Sequence, residues 1–203
     1  MVYSDFTLTD VKEKLSLFLV ENENLFFDIE RAEYSDHLKE TLKYNIPLAI
    51  SINTEKARSE FIVAPVLVEI VKQLKHEISL FSGIEFNVDK NQGLNGVCDF
   101  IISLSKEQLI LEAPIITIVE AKNDNIKSGF GQCISEMFAS QYYNDSKGHK
   151  VNNIYGVITT GSLWTFLKLK DKTVWIDIDE YHISNISKII GIFLVIIKSN
   201  QVV

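Results

Sequence analysis

Several kinds of residue are scarce in this sequence, and each scarcity excludes a class of protein. Only two of the 203 residues are cysteines and only three are prolines. Cys98 and Cys133 form neither a metal-binding pair motif nor a disulfide framework, and both fall in apolar segments that are expected in the core. A disulfide-stapled secreted protein is therefore excluded, and a reducing cytoplasm is the expected location.

Long apolar runs are also lacking. The longest, residues 189–197, contains nine residues, whereas a membrane-spanning helix needs about 20. Residues 1–5 lack the basic and apolar regions of a secretion signal. We therefore expect no association with a membrane.

Positive charge is the third shortage. Lysine and arginine together number 20 against 27 aspartates and glutamates, so the net charge is −7 at pH 7. Because lysine and arginine supply most non-specific affinity for nucleic acid, this balance argues against a protein that coats nucleic acid. A metal ion and a few local lysines can still bind one phosphate on an acidic protein. The apolar content of 46% and charged content of 23% are those of a soluble globular protein.

The common catalytic and nucleotide-binding motifs are missing. The sequence contains no Walker A motif, no G-x-S-x-G elbow and no H-E-x-x-H helix. Gly129-Phe130-Gly131 imitates the start of a dinucleotide fingerprint, but Ile134 stands where the third glycine is required. One of the two cysteines could pair with a histidine as in a thiol protease, although inert core cysteines are the simpler interpretation. The four histidines are His37, His76, His149 and His182.

The most informative feature that is present is the tripeptide Glu120-Ala121-Lys122, which closes a strongly apolar segment. Side chains alternate across a strand, so Glu120 and Lys122 project from one face while Ala121 packs on the other. Asp99 lies near the start of a second strand-like segment, residues 97–104. The turn-rich stretch between the two segments predicts an antiparallel hairpin, which would bring Asp99 beside Glu120.

This arrangement of charges is typical of a metal-dependent site. Two carboxylates about one strand spacing apart repel each other and are stabilised by a hard divalent cation. Mg²⁺ prefers oxygen ligands, keeps several waters and binds phosphate oxygens, which suits hydrolysis of a phosphodiester. Lys122 would orient or help to deprotonate the attacking water and would stabilise the charge of the transition state.

Asp99 followed by Glu120-x-Lys122 on adjacent apolar strands resembles the PD-(D/E)XK nuclease superfamily, which includes many restriction and repair endonucleases. The resemblance covers roughly residues 53–160. Glu60 matches the glutamate that many members carry on the helix before the sheet. Gln132 matches the glutamine that follows the ExK strand in the nuclease domain of type I restriction motor subunits. Cys98 stands where the family often has proline, a position that varies widely among members.

The resemblance implies a restriction-endonuclease-like core and Mg²⁺-dependent hydrolysis of DNA, with Mn²⁺ as an alternative ion. Asp99 and Glu120 would be metal ligands, and Glu60 would ligate the ion directly or through water. Lys122 would act on the attacking water, and Gln132 would support the site. Sequence specificity would have to come from loops, from a homodimer or from a protein partner.

The order of predicted elements favours an α/β (α+β) fold with a mixed central sheet flanked by helices. We expect one domain, residues 1–203, comprising an N-terminal helical elaboration (1–52), a nuclease-like core (53–160) and a C-terminal hairpin and helix (161–203). In the elaboration, Thr9 is expected to cap a helix that runs to Phe18. A second helix would begin at Ser35 or Asp36 and end before Pro47, since the residue before a proline disfavours helix.

The remaining elements follow from apolar periodicity. The predicted elements are a helix over 54–76, strands over 83–89, 97–104 and 115–121, a helix over 131–143, a parallel strand over 153–160, a sheet-edge hairpin over 164–177 and a helix over 183–199. In that hairpin Trp164, Phe166, Lys168 and Lys170 share one face. They would either bind nucleic acid by stacking and phosphate contact or form an ordinary strand whose lysines protect an exposed edge, and the second interpretation is the simpler.

A second function class remains open. The chain could keep a nuclease-type fold without cleaving anything and act as a binding module for nucleic acid or protein. The negative net charge favours this alternative. Charged pairs of the E-x-K type also occur as ordinary ion pairs.

Overall fold

A computed structural model describes residues 1–201 of the chain. Its centre is a seven-stranded mixed sheet with the strand order β1-β7-β6-β5-β4-β3-β2. The strands are β1 (Phe18–Glu23), β2 (Ser79–Glu85), β3 (Val97–Ser103), β4 (Ile115–Ala121), β5 (Ile154–Thr159), β6 (Leu163–Lys170) and β7 (Thr173–His182). The helices are α1 (Leu8–Lys14), α2 (Asp36–Ile52), α3 (Glu55–Arg58), α4 (Ala64–Gln73), α5 (Phe130–Ser146) and α6 (Ile186–Asn200).

Helices cover both faces of this sheet, so the expected α/β architecture is confirmed. On one face α2, α4 and α6 pack against alternate side chains of the central strands. On the other face α1 and α5 pack against the intervening side chains. Ile118 and Val119 show the division, since they are adjacent on β4 and contribute to opposite cores. Strands β4 and β5 are apolar through most of their length because they are buried on both sides.

The N-terminal segment differs from the helical elaboration that the sequence predicts. Thr7, not Thr9, caps α1, since its hydroxyl accepts a hydrogen bond from the Asp10 amide at 3.1 Å. The helix ends at Lys14, and Ser16 adopts a left-handed conformation with φ of 55°. Phe18 then begins β1, which pairs in parallel with β7. The prediction of a helix reaching Phe18 was wrong because tertiary pairing with β7 outweighs helical spacing in so short a segment.

Pro47 also does not end the second helix. Ser35 caps α2 as predicted, with its hydroxyl accepting from the Leu38 amide at 3.2 Å, but the helix continues through the proline to Ile52. Proline removes one backbone hydrogen bond. Apolar residues on both sides of it, Leu42 and Ala49, are buried against the core, and this packing maintains the helix.

The predicted helix over residues 54–76 is present with an irregular middle. Thr54 caps α3, and its hydroxyl accepts from the Ala57 amide at 3.1 Å. A π-helical turn, Ser59–Val63, joins α3 to α4 directly before Pro65. The wider turn accommodates a proline that cannot donate a helical hydrogen bond. The apolar face of α4 is buried as expected, with Val66, Leu67 and Ile70 fully inaccessible.

The predicted C-terminal hairpin and helix are both present, but the hairpin does not lie at the edge of the sheet. Strands β6 and β7 form an antiparallel hairpin around Asp171 and Lys172. The hairpin is not the edge of the sheet, because β1 lies outside β7. Trp164 and Phe166 are fully buried, so they do not stack on nucleic acid. The interpretation as an ordinary strand is therefore correct, but the expectation that its lysines protect an exposed edge was wrong, because β6 lies inside the sheet.

The last helix is apolar enough to raise the question of a membrane. Together with the single turn before it, the segment Ile183–Asn200 meets the length and mean hydropathy of a membrane span. However, 56% of this stretch is buried within the protein, and Ile189, Ile192 and Phe193 are inaccessible in the core. This burial pattern is that of a core helix.

Candidate active site

Strands β3 and β4 bring the two predicted carboxylates together. The strands are antiparallel, with Phe100 paired to Val119, so Asp99 and Glu120 are the next residues at the same end of the two strands. The two carboxyl groups lie near enough for the charge of Asp99 to raise the pKa of Glu120. Asp99 is also fixed from β4, because its Oδ2 atom accepts a hydrogen bond from the Ala121 amide at 2.8 Å. The predicted pairing of the two strands is confirmed.

Lys122 follows β4 directly and is held through both its backbone and its side chain. Its backbone amide donates to the Thr159 carbonyl of β5 at 2.8 Å. Its Nζ atom lies 2.6 Å from Glu120 Oε1. Gly129 leaves the space that the lysine stem occupies, since a Cβ at Gly129 would lie 3.2 Å from Lys122 Cε and 2.9 Å from Ile158 Cγ2.

The first turns of α5 complete the site from the side of the sheet on which Glu120 lies. Gln132 Oε1 accepts a hydrogen bond from Lys122 Nζ at 3.2 Å, and Gln132 Nε2 donates to Glu136 Oε1 at 3.1 Å. A continuous chain of polar contacts thus runs from Glu120 through Lys122 and Gln132 to Glu136. Glu136 was not identified from the sequence. Its position four residues after Gln132 on a helix was the available signal, since such residues share a face.

The glycines that imitate a dinucleotide fingerprint have a structural explanation. Gly129 accommodates Lys122, as described above. A Cβ at Gly131 would clash with the Phe6 carbonyl, because the N-terminal segment crosses α5 at this point. Both glycines therefore permit close approach of neighbouring groups within the protein.

Burial dominates the electrostatics of the carboxylates. Glu120 is 2% exposed, and this burial together with the charge of Asp99 raises the pKa of Glu120 to about 8 against the opposing effect of Lys122. Burial also raises the pKa of Asp99 above its usual range, opposed by the Ala121 hydrogen bond and the charge of Lys122. The pKa of Glu136 is raised well above its usual range by complete burial and by the charge of Glu120.

Lys122 has the opposite electrostatic character. Burial lowers its pKa, but the charge and hydrogen bond of Glu120 outweigh burial, with further contributions from Glu55 and Asp99, so the pKa of Lys122 is raised. The side chain is therefore an ammonium at neutral pH. An ammonium has no lone pair with which to accept a proton, so the state seen here suits orientation and charge stabilisation.

An open cavity of about 340 Å³ gives access to Asp99. The other lining residues are Glu55, Lys56, Ser59, Glu60, Ser82 and Gly83. Gly83 lies between the paired residues Ser82 and Ile84 and thus opposite Asp99 on the neighbouring strand. Gly83 has a φ of +62°, a backbone conformation that favours glycine. The exposed Lys56 ammonium provides a positive charge at the rim.

Two glutamates of the preceding helix lie at this rim. Glu60, the residue predicted from family order, is 55% exposed at its side chain and lies 3.7 Å from Lys56 Nζ. Glu55, which was not selected from the sequence, raises the pKa of both Glu120 and Lys122 through its charge. Arg58 anchors this part of the helix, since it donates to the Thr160 carbonyl at 2.9 Å. Both glutamates reach the rim from the same short helical segment, and only the family resemblance favoured Glu60 over Glu55.

The oxygen ligands present suit Mg²⁺. Within residues 1–201, Glu120 Oε2 is buried without a hydrogen-bond partner, and such an atom is stabilised by a cation. No group of three or more histidine, cysteine, aspartate or glutamate side chains in this part of the chain is placed so that it could hold a metal ion. Mg²⁺ commonly uses one or two carboxylates and completes its coordination with waters and substrate phosphate. The pair Asp99 and Glu120 fits that pattern.

The two cysteines lie behind this site and are not nucleophiles. Both are free thiols with no exposed surface. Burial and the charge of Glu136 raise the pKa of both Cys98 and Cys133 well above the usual thiol value. Thiolates are thus strongly disfavoured, and the thiol-protease alternative has no structural support.

The structure therefore brings together four of the five predicted site residues, Asp99, Glu120, Lys122 and Gln132, and places Glu60 at the cavity rim. No protein-family model matches this chain, and no curated protein shows significant similarity to it. The functional interpretation depends on the chemistry of the site itself.

Proposed function

We propose that this protein is a Mg²⁺-dependent nuclease of the PD-(D/E)XK type, with a restriction-endonuclease-like core, that hydrolyses phosphodiester bonds in DNA. The observation that carries the proposal is the convergence of Asp99, Glu120 and Lys122 at adjacent strand ends beside an open cavity. Gln132 supports it, because the glutamine expected from the family motif hydrogen-bonds to the lysine.

Asp99 and Glu120 would hold the ion, with Glu55 or Glu60 as a third carboxylate that binds directly or through water. Mn²⁺ would use the same oxygen ligands. A bound ion would supply positive charge for a phosphate oxygen and lower the pKa of a bound water. Without such an ion, the charge of Asp99 adds to burial in raising the pKa of Glu120.

Lys122 contributes a fixed positive charge to the reaction. Its ammonium would orient the attacking water and stabilise the charge that develops on the phosphate. Gln132 and Glu120 hold the ammonium before substrate binds. Such prior positioning removes the need to order the lysine during the reaction.

The substrate and the assembly are proposed on different grounds. DNA is proposed from the family resemblance. The net charge of −7 favours selective or partner-assisted binding. Each chain supplies one site, so cleavage of both strands favours a homodimer or a protein partner. The buried free thiols are consistent with our proposal of a cytoplasmic location.

A binding module without catalytic activity is the second candidate. The observation that favours it is the direct contact between Lys122 and Glu120 at 2.6 Å. A lysine in this position neutralises a buried carboxylate, as it would in a purely structural ion pair. Under this alternative the site stabilises the fold, and no divalent cation is required.

Cleavage of plasmid and of single-stranded DNA, with Mg²⁺ or Mn²⁺ and with EDTA, distinguishes the two candidates. We expect the wild type to nick DNA only with a divalent cation. Asp99→Asn and Lys122→Met should each lower the rate at least about a hundredfold, because each removes charge used in the transition state. Asp145→Asn and Lys150→Met are matched controls, since both residues are exposed and lie at the far end of α5 or just after it.

Two results would contradict the proposal in different ways. Equal cleavage by the wild type and both site variants would show that the site is elsewhere or that a contaminating nuclease is responsible. No cleavage of either substrate under any condition would favour the binding module. DNA binding by the wild type would then be measured by fluorescence anisotropy.

The third carboxylate is tested by comparing Glu55→Gln with Glu60→Gln. Because the charge of Glu55 acts on both Glu120 and Lys122, Glu55→Gln should weaken Mg²⁺ activation more than Glu60→Gln. The measurement is the Mg²⁺ concentration that gives half-maximal cleavage. A larger shift for Glu60→Gln would restore the assignment made from family order.

A further inference from the structure

The Gln132 amide lies between a cation and a carboxyl group, and its two ends differ chemically. Its Oε1 atom can only accept hydrogen bonds, whereas its Nε2 atom can only donate them. Here Oε1 accepts from Lys122 Nζ at 3.2 Å and Nε2 donates to Glu136 Oε1 at 3.1 Å. Turning the amide over would direct its N–H groups at the lysine ammonium, so Lys122 favours the orientation in which Nε2 meets Glu136.

Glu136 is completely buried, and its position has no evident structural purpose. The side chain has no exposed surface, and within the described residues its second oxygen, Oε2, has no hydrogen-bond partner. A buried carboxyl group with one unused oxygen is unfavourable compared with an apolar side chain of similar size. Fold stability therefore does not explain a glutamate at this position.

We propose that Glu136 is a positioning residue that acts through Gln132 to hold the Lys122 ammonium in place for catalysis. The inference deepens the proposed nuclease function and rests on it for the meaning of the lysine position. Glu136 contacts neither substrate nor ion. It holds the Gln132 amide from the Nε2 side, and the Oε1 atom of the same amide accepts from Lys122. Glu120 and Gln132 then accept two of the three ammonium protons, which leaves the third for substrate or water.

The first test is kinetic and compares two substitutions of Glu136. Glu136→Met keeps the volume but removes the acceptor, so kcat should fall at least about tenfold with KM changed less than about twofold, because a small misplacement of a catalytic group affects the chemical step. Glu136→Gln keeps an acceptor for Gln132 Nε2 and should retain kcat within about threefold. Ser140→Ala is the control, since Ser140 is buried one turn later and donates only to the Glu136 carbonyl at 2.8 Å.

A double-mutant cycle separates positioning through Gln132 from a general effect on the helix. If Glu136 acts through Gln132, then adding Glu136→Met to a Gln132→Met protein should lower kcat by less than about twofold further. Thermal unfolding of all variants provides the stability comparison. We expect Glu136→Met to be at least as stable as the wild type, because it replaces a buried carboxyl group with an apolar side chain. A loss of activity that parallels a loss of stability would contradict the proposal.

The second test does not depend on activity or on a metal ion. In the metal-free protein, the ¹⁵N–¹H signal of the Lys122 ammonium should be visible in the wild type because its hydrogen bonds slow exchange with water. Lys122→Arg identifies the signal. Glu136→Met should broaden it or remove it, and Glu136→Gln should preserve it. An unchanged signal in Glu136→Met would overturn the proposal.

The two tests fail independently. If the wild type cleaves no DNA, the proposed nuclease function fails, and the ammonium signal still decides whether Glu136 positions Lys122. If the wild type is active and Glu136→Met leaves both kcat and the ammonium signal unchanged, only the positioning role fails. Equal losses of kcat from Glu136→Met in the wild-type and Gln132→Met backgrounds would also reject it.

Discussion

Replacing Glu120 with glutamine should stabilise the ion-free protein at neutral pH while it removes a proposed metal ligand. In the folded protein, burial and the charge of Asp99 raise the pKa of Glu120 to about 8, against an ordinary value of 4.5. Between these two pH values the folded protein retains a proton that the unfolded chain releases. The stability of the wild type therefore falls as pH rises through this window. The carboxamide introduced by Glu120→Gln does not titrate, so the variant escapes this loss.

The size of the effect follows from the width of the window. Each pH unit between the two pKa values changes the free energy of unfolding by about 1.4 kcal/mol. The stability difference between Glu120→Gln and the wild type should therefore be small near pH 4.5, where a neutral carboxyl group resembles a carboxamide. From pH 5 to pH 7.5 it should grow steadily, by at most about 1.4 kcal/mol for each pH unit.

Urea unfolding in EDTA at several pH values between 5 and 8 measures this difference. Glu40→Gln is the matched control, because Glu40 also faces a lysine, Lys43 at 3.7 Å, but its side chain is 60% exposed. The control should differ from the wild type by a nearly constant amount across the range. If the Glu120→Gln difference also stays constant, or if the wild type is the more stable at pH 7.5, the argument from burial is refuted.

Two further predictions concern packing around the site. The Asn144 side chain accepts a hydrogen bond from the Ile115 amide at 2.8 Å and donates one to the Ile115 carbonyl at 2.7 Å. Asn144→Leu leaves both buried groups unpaired, so it should lower the free energy of unfolding, measured in urea, by about 3 kcal/mol. A decrease no larger than that caused by Ser146→Ala, at an exposed position, would contradict this prediction. A methyl group at position 129 would displace the Lys122 side chain, so Gly129→Ala should lower kcat at least about tenfold in the DNA cleavage assay with little change in KM. An unchanged kcat would show that the Lys122 side chain can shift without loss of activity.

The proximity of Asp99 and Glu120 could be predicted because it depends on strand periodicity and on a short connection between neighbouring strands. Alternation along a strand fixed which side chains share a face, and the turn-rich stretch between the two apolar segments indicated a hairpin. The carboxyl group of Glu136 could not be assigned in the same way. A glutamate on an amphipathic helix is usually solvated, and only the packing of α5 on the sheet shows that this one is buried beside Gln132.

The segment before residue 53 shows where prediction from the sequence failed. Residues 18–23 form a short strand whose residues are half-buried or exposed, so its own pattern is weak. Its pairing with β7 comes from a segment about 150 residues later in the chain. Similarly, Pro47 favours a helix end locally, yet packing of the residues around it maintains α2. Local preferences of this size are smaller than the free energy gained by burying apolar surface.

The sequence by itself determined the elements that carry the site. The apolar segments around Asp99 and Glu120-Ala121-Lys122 predicted β3 and β4, with the charged side chains at the same end of the two strands. Only the tertiary structure decided the pKa values of these side chains and the position of the lysine. Burial sets their pKa values, and α5, which follows them in the chain, positions Lys122 through Gln132. Strand alternation is a short-range property of the backbone, whereas desolvation and helix placement depend on how distant segments pack.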